Sequence, residues 1–95
     1  MKKKYEIKPT ASYKRELKKI CKQHKNLSLL NAVIEKLANG EPLPELNRDH
    51  ELTGNFKGCR ECHIQPNWLL IYEIQDDELI LYLLHTGSHS ELFGK

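Results

Sequence analysis

His50, His63 and His89 fall in the C-terminal half of this 95-residue chain, together with Arg60 and the single tryptophan, Trp68. Histidine is the side chain whose ordinary pKa lets it give and take a proton near neutral pH, so three brought together by one scaffold would make proton-transfer machinery. His24 and His85 lack comparable company in the sequence and read as structural. There is no Gly-rich phosphate loop, no G-x-S-x-G and no histidine pair at helical metal-ligand spacing. The chemistry on offer is acid–base catalysis with cationic support, and no cofactor or metal is expected.

Cys59-Arg60-Glu61-Cys62-His63 matches the C-x-x-C-H pattern of haem attachment. It sits, however, in a run with strand alternation, which sends the two sulfurs to opposite faces, whereas a redox pair or a zinc knuckle needs them to converge. The same alternation places Cys59, Glu61, His63 and Gln65 on one face and Arg60, Cys62 and Ile64 on the other. If Cys62 and Ile64 meet a core, His63 projects from the open face. Trp68 has two readings, core packing or a stacking surface for a nucleobase, and Phe93 has the same two.

The positioning elements follow from periodicity. Tyr5 to Ile7 is a short strand closed by Pro9. Thr10 or Ser12 can cap a helix whose stripe is Tyr13, Leu17, Ile20, Cys21 and His24. Asn26 caps a second helix carrying Leu29, Leu30, Val33, Ile34, Leu37 and Ala38, stopped by Asn39-Gly40. Pro42 and Pro44 open a loop, and His50 stands at its end or at the start of a strand. Three strands are expected, Lys57 to Gln65, Trp68 to Ile74 and Leu79 to Leu84, with turns at Pro66-Asn67 and Gln75 to Glu78. Ser90 to Phe93 forms a final turn or short helix. The fold class is α+β in the order β-α-α-β-β-β, with two N-terminal helices on one face of a small, mainly antiparallel sheet. Residues 1–95 make one domain, whose size predicts a shallow surface site.

The net charge of +2 conceals an uneven distribution, because residues 1–25 hold ten Lys/Arg against Glu6 and Glu16. This basic N-terminal helix face reads as a footprint for a polyanion, as a solvated lysine face, or as a surface for an acidic protein partner. Three cysteines do not make a disulfide framework, the start Met1 to Tyr5 lacks a signal-peptide core, and no stretch approaches a membrane span. A cytoplasmic protein with reduced thiols is expected, with no membrane contact.

Three segments carry a family resemblance: Arg48 to Gly54, Phe56 to Tyr72, and Thr86 to Phe93. In order and spacing the chain resembles the YafQ branch of the RelE/ParE toxin superfamily over nearly its whole length. The resemblance implies a RelE-like fold and the toxin half of a bacterial type II toxin–antitoxin pair, an endoribonuclease (mRNA interferase) that cuts messenger RNA in the ribosomal A site. Its implied partners are a cognate antitoxin, the ribosome and mRNA. The family's three histidines fall on His50, His63 and His89, its tryptophan on Trp68 and its terminal aromatic on Phe93. Where the pattern has aspartate before that tryptophan, this chain has Asn67, which can hydrogen-bond but cannot take a proton. On this reading His50 or His63 is the general base and His89 the general acid. Lys57 and Arg60 stabilise phosphate, and Asn67, Trp68 and Phe93 contact the substrate. Two rival readings are a ParE-like toxin acting on DNA gyrase and a non-catalytic RNA- or ribosome-binding module.

Overall fold

The computed structural model describes residues 3–94, so Met1 and Lys2, the latter counted in the basic segment, lie outside the described residues. Five strands form one sheet: β1 (Glu6–Pro9), β2 (His50–Glu51), β3 (Arg60–Gln65), β4 (Trp68–Gln75) and β5 (Ile80–Gly87). They lie in the order β1-β5-β4-β3-β2, with β1 parallel to β5 and the other pairs antiparallel. Helices α1 (Ala11–Lys22) and α2 (Leu27–Ala38) follow β1, and α3 (His89–Phe93) follows β5. The expected α+β layering is borne out, with a two-residue β2 added at the edge where His50 stands.

Thr10 caps α1, accepting the Tyr13 N–H at 3.2 Å and donating to the carbonyls of Leu83 and Leu84, so the cap also fastens α1 to β5. Asn26 caps α2 through the Ser28 N–H, and Gly40, at φ 76°, lies just past its end. The stripe on α1 is shorter than its periodicity suggests. Tyr13 and Ile20 are buried and Leu17 packs against them, but Cys21 and His24 are exposed. The helix ends at Lys22, and His24 takes up a left-handed conformation that lies outside the helical repeat.

The helices cover one sheet face, where Cys62, Trp68, Leu70, Tyr72, Leu81 and Leu83 join Leu30, Ile34 and Leu37 in the core. Leu69 and Ile71 point to the opposite face and are equally buried. Both layers are thus occupied, which explains why β4 is apolar throughout. Two irregularities shape the sheet: the register shifts between His63 and Gln65 on β3, and again opposite Ile71 and Tyr72 where β4 meets β5. β5 also runs past Leu84, where the expected strand ends, because Gly87 still pairs with Leu69 and the chain turns only at Ser88.

Candidate active site

On the sheet face turned away from α1 and α2, the pairing sets His50 beside Glu61, Glu61 beside Ile71, and Ile71 beside His85. One step along, His63 is beside Leu69 and Leu69 beside Gly87. Side chains of paired residues share a face, so four strands bring these groups to one side. Strand alternation alone delivers His63 and Glu61 together there, as their spacing of two predicts.

Glu61 is the centre of the arrangement. Its carboxylate, with the side chain only 4% exposed, has Oε1 at 3.4 Å from His50 Nε2 and 3.7 Å from His63 Nε2. His50 Nδ1 lies 2.7 Å from the Arg48 carbonyl oxygen. A carbonyl only accepts, so Nδ1 carries the proton and Nε2 is the nitrogen left to exchange one. Arg48 itself is held in the left-handed region at φ 48°, ψ 46°, which turns its carbonyl towards the ring.

The ring of His63 is 6.0 Å from that of His89, whose ring is 5.6 Å from Phe93. Phe93 meets Phe56 edge-on at 5.7 Å, and Phe56 meets His85 at 5.9 Å. His89 is exposed at the first position of α3. The capping box between Ser88 and Glu91 fixes that start: the Ser88 hydroxyl accepts the Glu91 N–H and the Glu91 carboxylate accepts the Ser88 N–H. The Ser88 N–H in turn holds the Glu91 carboxyl below the usual carboxylate range. A Cβ added to Gly87 would stand 3.0 Å from a Glu91 carboxylate oxygen, so the close turn from β5 into α3 suits glycine.

Six rings and a buried carboxylate therefore line one face, and the outer members are exposed or half-buried. A family model described as bacterial toxin of type II toxin–antitoxin system, YafQ, matches residues 5–94. The chain belongs to the YafQ family. An mRNA interferase toxin YafQ from Escherichia coli strain K12 is 37% identical over 90 residues, 94% of this chain and 96% of that protein. A putative toxin YafQ from Haemophilus influenzae is 41% identical over 85 residues, 82% of this chain and 83% of that one. Among solved structures, a chain of the E. coli DinJ–YafQ toxin–antitoxin complex matches with a TM-score of 0.88 and 36% identity, covering 96% of this chain and 99% of that chain.

Within this YafQ-family fold, the expected site residues separate into three groups. His50, His63, His89 and Phe93 are brought together as described. Lys57 follows Phe56 in an exposed turn, and Asn67 is exposed in the two-residue turn between β3 and β4. Trp68 and Arg60 stand elsewhere. Trp68 has no exposed surface, its indole N–H donates to the Thr86 hydroxyl at 2.9 Å, and Lys25 lies over its ring at 5.7 Å, so core packing is its role and base stacking is not. Arg60 is on the other face from His63. Its Nε donates to Asp49 Oδ1 at 3.2 Å, and NH1 is 3.7 Å from Glu51. The Tyr72 hydroxyl donates to the same Asp49 oxygen, and burial and this carboxylate together raise the phenol's pKa. Arg60 thus anchors the residue before His50 instead of meeting a phosphate.

Three residues on this face escaped the sequence reading, Glu61 as a partner of both histidines, Phe56 and His85. The signal for Glu61 was its shared strand face with His63. His85 Nδ1 is 3.1 Å from the Glu16 carboxylate, which also accepts the Thr86 N–H, beyond the point where β1 stops at the β5 edge. Cys62 is buried in the core, where desolvation pushes its thiol up to about 12, and Cys59 is half-buried just before β3, so the C-x-x-C spacing makes no convergent pair. Among the described residues, no group of three or more His, Cys, Asp and Glu is disposed to hold a metal ion. No helix among them is long and apolar enough to cross a membrane.

Proposed function

We propose that this toxin is an mRNA interferase that cleaves messenger RNA on the ribosome by attack of the substrate's own 2′-hydroxyl. The observation that carries the reading is the single face on which Glu61 lies between His50 and His63 while His63 and His89 approach to 6.0 Å. The reaction needs a base for the 2′-hydroxyl proton, positive charge or donors for the phosphorane-like oxygens, and an acid for the leaving 5′-oxygen. The 2′-oxygen bonds to phosphorus as the bond to the 5′-oxygen breaks, giving a 2′,3′-cyclic phosphate and a free 5′-hydroxyl.

His50 takes the 2′-hydroxyl proton on Nε2, the nitrogen its Arg48 contact leaves available. His89, exposed at the start of α3, protonates the 5′-oxygen. His63, between them and backed by Glu61, donates to the phosphate oxygens, and Lys57 adds charge from the neighbouring turn. Phe93 packs against His89 and offers its ring to a base. Asn67 contributes amide hydrogen bonds. Glu61 touches no substrate and is a positioning residue. The partners are an antitoxin, as in the E. coli DinJ–YafQ complex, and the ribosome with its mRNA, in the cytoplasm.

The test is cleavage of mRNA on programmed ribosomes with analysis of the new 3′ ends. Cyclic phosphate ends that vanish in a His50→Ala, His63→Ala, His89→Ala triple variant support the reading. Cleavage-free translation arrest, or DNA gyrase poisoning, replaces it with a binding or gyrase-directed toxin.

A further inference from the structure

A groove of about 490 Å³ opens at the β3 edge beyond the end of β2. That volume lies in the range of sites that hold small organic ligands. His63 forms one wall, so the groove begins where the proposed catalytic face ends. Leu29 from α2, Leu46 from the turn Glu45–Asn47, and Ile64 with Pro66 supply apolar surface; Arg48 and Gln65 supply the remaining polar groups. The β3 register shift between His63 and Gln65 creates this geometry, because it turns Gln65 away from the face that carries His63. The Asn47 side chain donates to the His63 carbonyl at 2.7 Å and so holds the Leu46 side of the groove against the strand.

We propose that this groove receives one nucleobase of the substrate RNA next to the scissile phosphate, with Gln65 reading its edge and Arg48 held against its phosphate or ring face. The inference rests on the mRNA interferase reading above. Three features favour RNA over a peptide. The groove is continuous with His63. Its two ionisable walls, Arg48 and His63, are cationic or neutral, and no carboxylate lines it. Among the described residues, the Arg48 side chain has no ion-pair partner, so its charge is available to a phosphate. The Gln65 amide offers a donor and an acceptor, which is what bidentate reading of a base edge requires. Leu46, 87% exposed, is the apolar surface such a base would cover.

The test uses a short RNA with 2′-O-methyl groups, which binds but cannot be cut, and versions abasic at one position at a time. Removing one base is expected to weaken binding to the wild-type protein about tenfold, with NMR shifts of the Leu46 methyl and Gln65 amide resonances on binding. In Gln65→Leu and Leu46→Ala variants, both at exposed positions, that tenfold difference should shrink to less than about threefold, by loss of the edge contacts. If every abasic position costs the same in wild type and variants, or if the groove resonances respond only to the antitoxin, the inference is overturned. If the base dependence is found but unmodified RNA is never cut on ribosomes, the groove stands and the catalytic reading falls.

Discussion

Glu61 places its carboxylate 3.4 Å from His50 Nε2 across the β2–β3 pairing, while its own side chain is almost wholly withdrawn from water. A buried carboxylate is costly unless a partner faces it, and the groups that face this one are the Nε2 atoms of His50 and His63, which attract it when they carry a proton. Replacing Glu61 with Gln is therefore expected to reduce kcat by about 10²-fold through lost orientation, with KM little changed. Glu61→Asp should recover part of the rate. Single-turnover cleavage on ribosomes measures both, and an unchanged kcat in a folded Glu61→Gln protein would remove Glu61 from the mechanism.

His89→Ala should lower cleavage by about 10²- to 10⁴-fold, the usual worth of a positioned acid or base. The fold should survive, because His89 is exposed and α3 is fixed by Ser88 and Glu91 instead. Comparison of thermal unfolding with cleavage by the same preparation checks this, and near-normal cleavage would reassign the acid.

Trp68→Ala should destabilise the protein by about 3–5 kcal/mol, as large-to-small changes at buried aromatic positions do. Trp68→Phe should cost less and leave most cleavage intact, since the ring is packed under the helices and only the bond to Thr86 is lost. Denaturant titration of both variants gives the values. A stable Trp68→Phe protein without activity would return Trp68 to the substrate.

That tryptophan also marks the limit of what the sequence makes legible. The helices, their caps at Thr10 and Asn26, and the hairpin at Pro66-Asn67 follow from short-range chemistry and were visible. So was the face of His63, two residues from Glu61. Beyond His63 the β3 register shift reverses alternation: without it Gln65 would share the face of His63 and its pairing partner Trp68 would be carried to the wrong side. Arg60 was readable as opposite to His63, but its engagement by Asp49 and Glu51 depends on β2, a strand too short to leave a periodic trace. His85 looked isolated because its neighbours, Phe56 and Glu16, are supplied by distant segments.

Glu91 links pH to the seating of α3. Its pKa in the folded protein lies below that of the unfolded chain, chiefly through the Ser88 N–H, with Gln23 and Lys19 adding to it. The contribution is complete above the ordinary carboxylate range and is lost as pH falls through the lowered folded value. Amide exchange in residues 88–94 should accelerate in that acidic window before the β4 core opens. Glu91→Gln should abolish the dependence; exchange that stays flat in the unaltered protein would contradict it.

Lys14, Lys18 and Lys22 are exposed along α1. Changing all three to Glu should weaken ribosome association and flatten its salt dependence, through loss of phosphate neutralisation, while leaving the histidine site unaltered. Sedimentation with ribosomes over a salt series measures the slope. An unchanged slope would assign this face to solvent or to the antitoxin.

The parallel pairing of Glu6 with Ile80 divides the sheet into a part that closes locally and a part that does not. β3, β4 and β5 join one another through short turns, whereas β1 reaches β5 only when some seventy residues of chain have closed. Contacts so distant in sequence slow folding. Residues 50 and 63 are arranged by the local β2–β3–β4 meander, and His89 belongs to the same unit, because β5 pairs with β4 across a short turn and Gly87 leads directly into α3. The three histidines thus lie on the part of the sheet that closes locally, and the slow closure at β1 adds the helix layer beneath them and no member of that set.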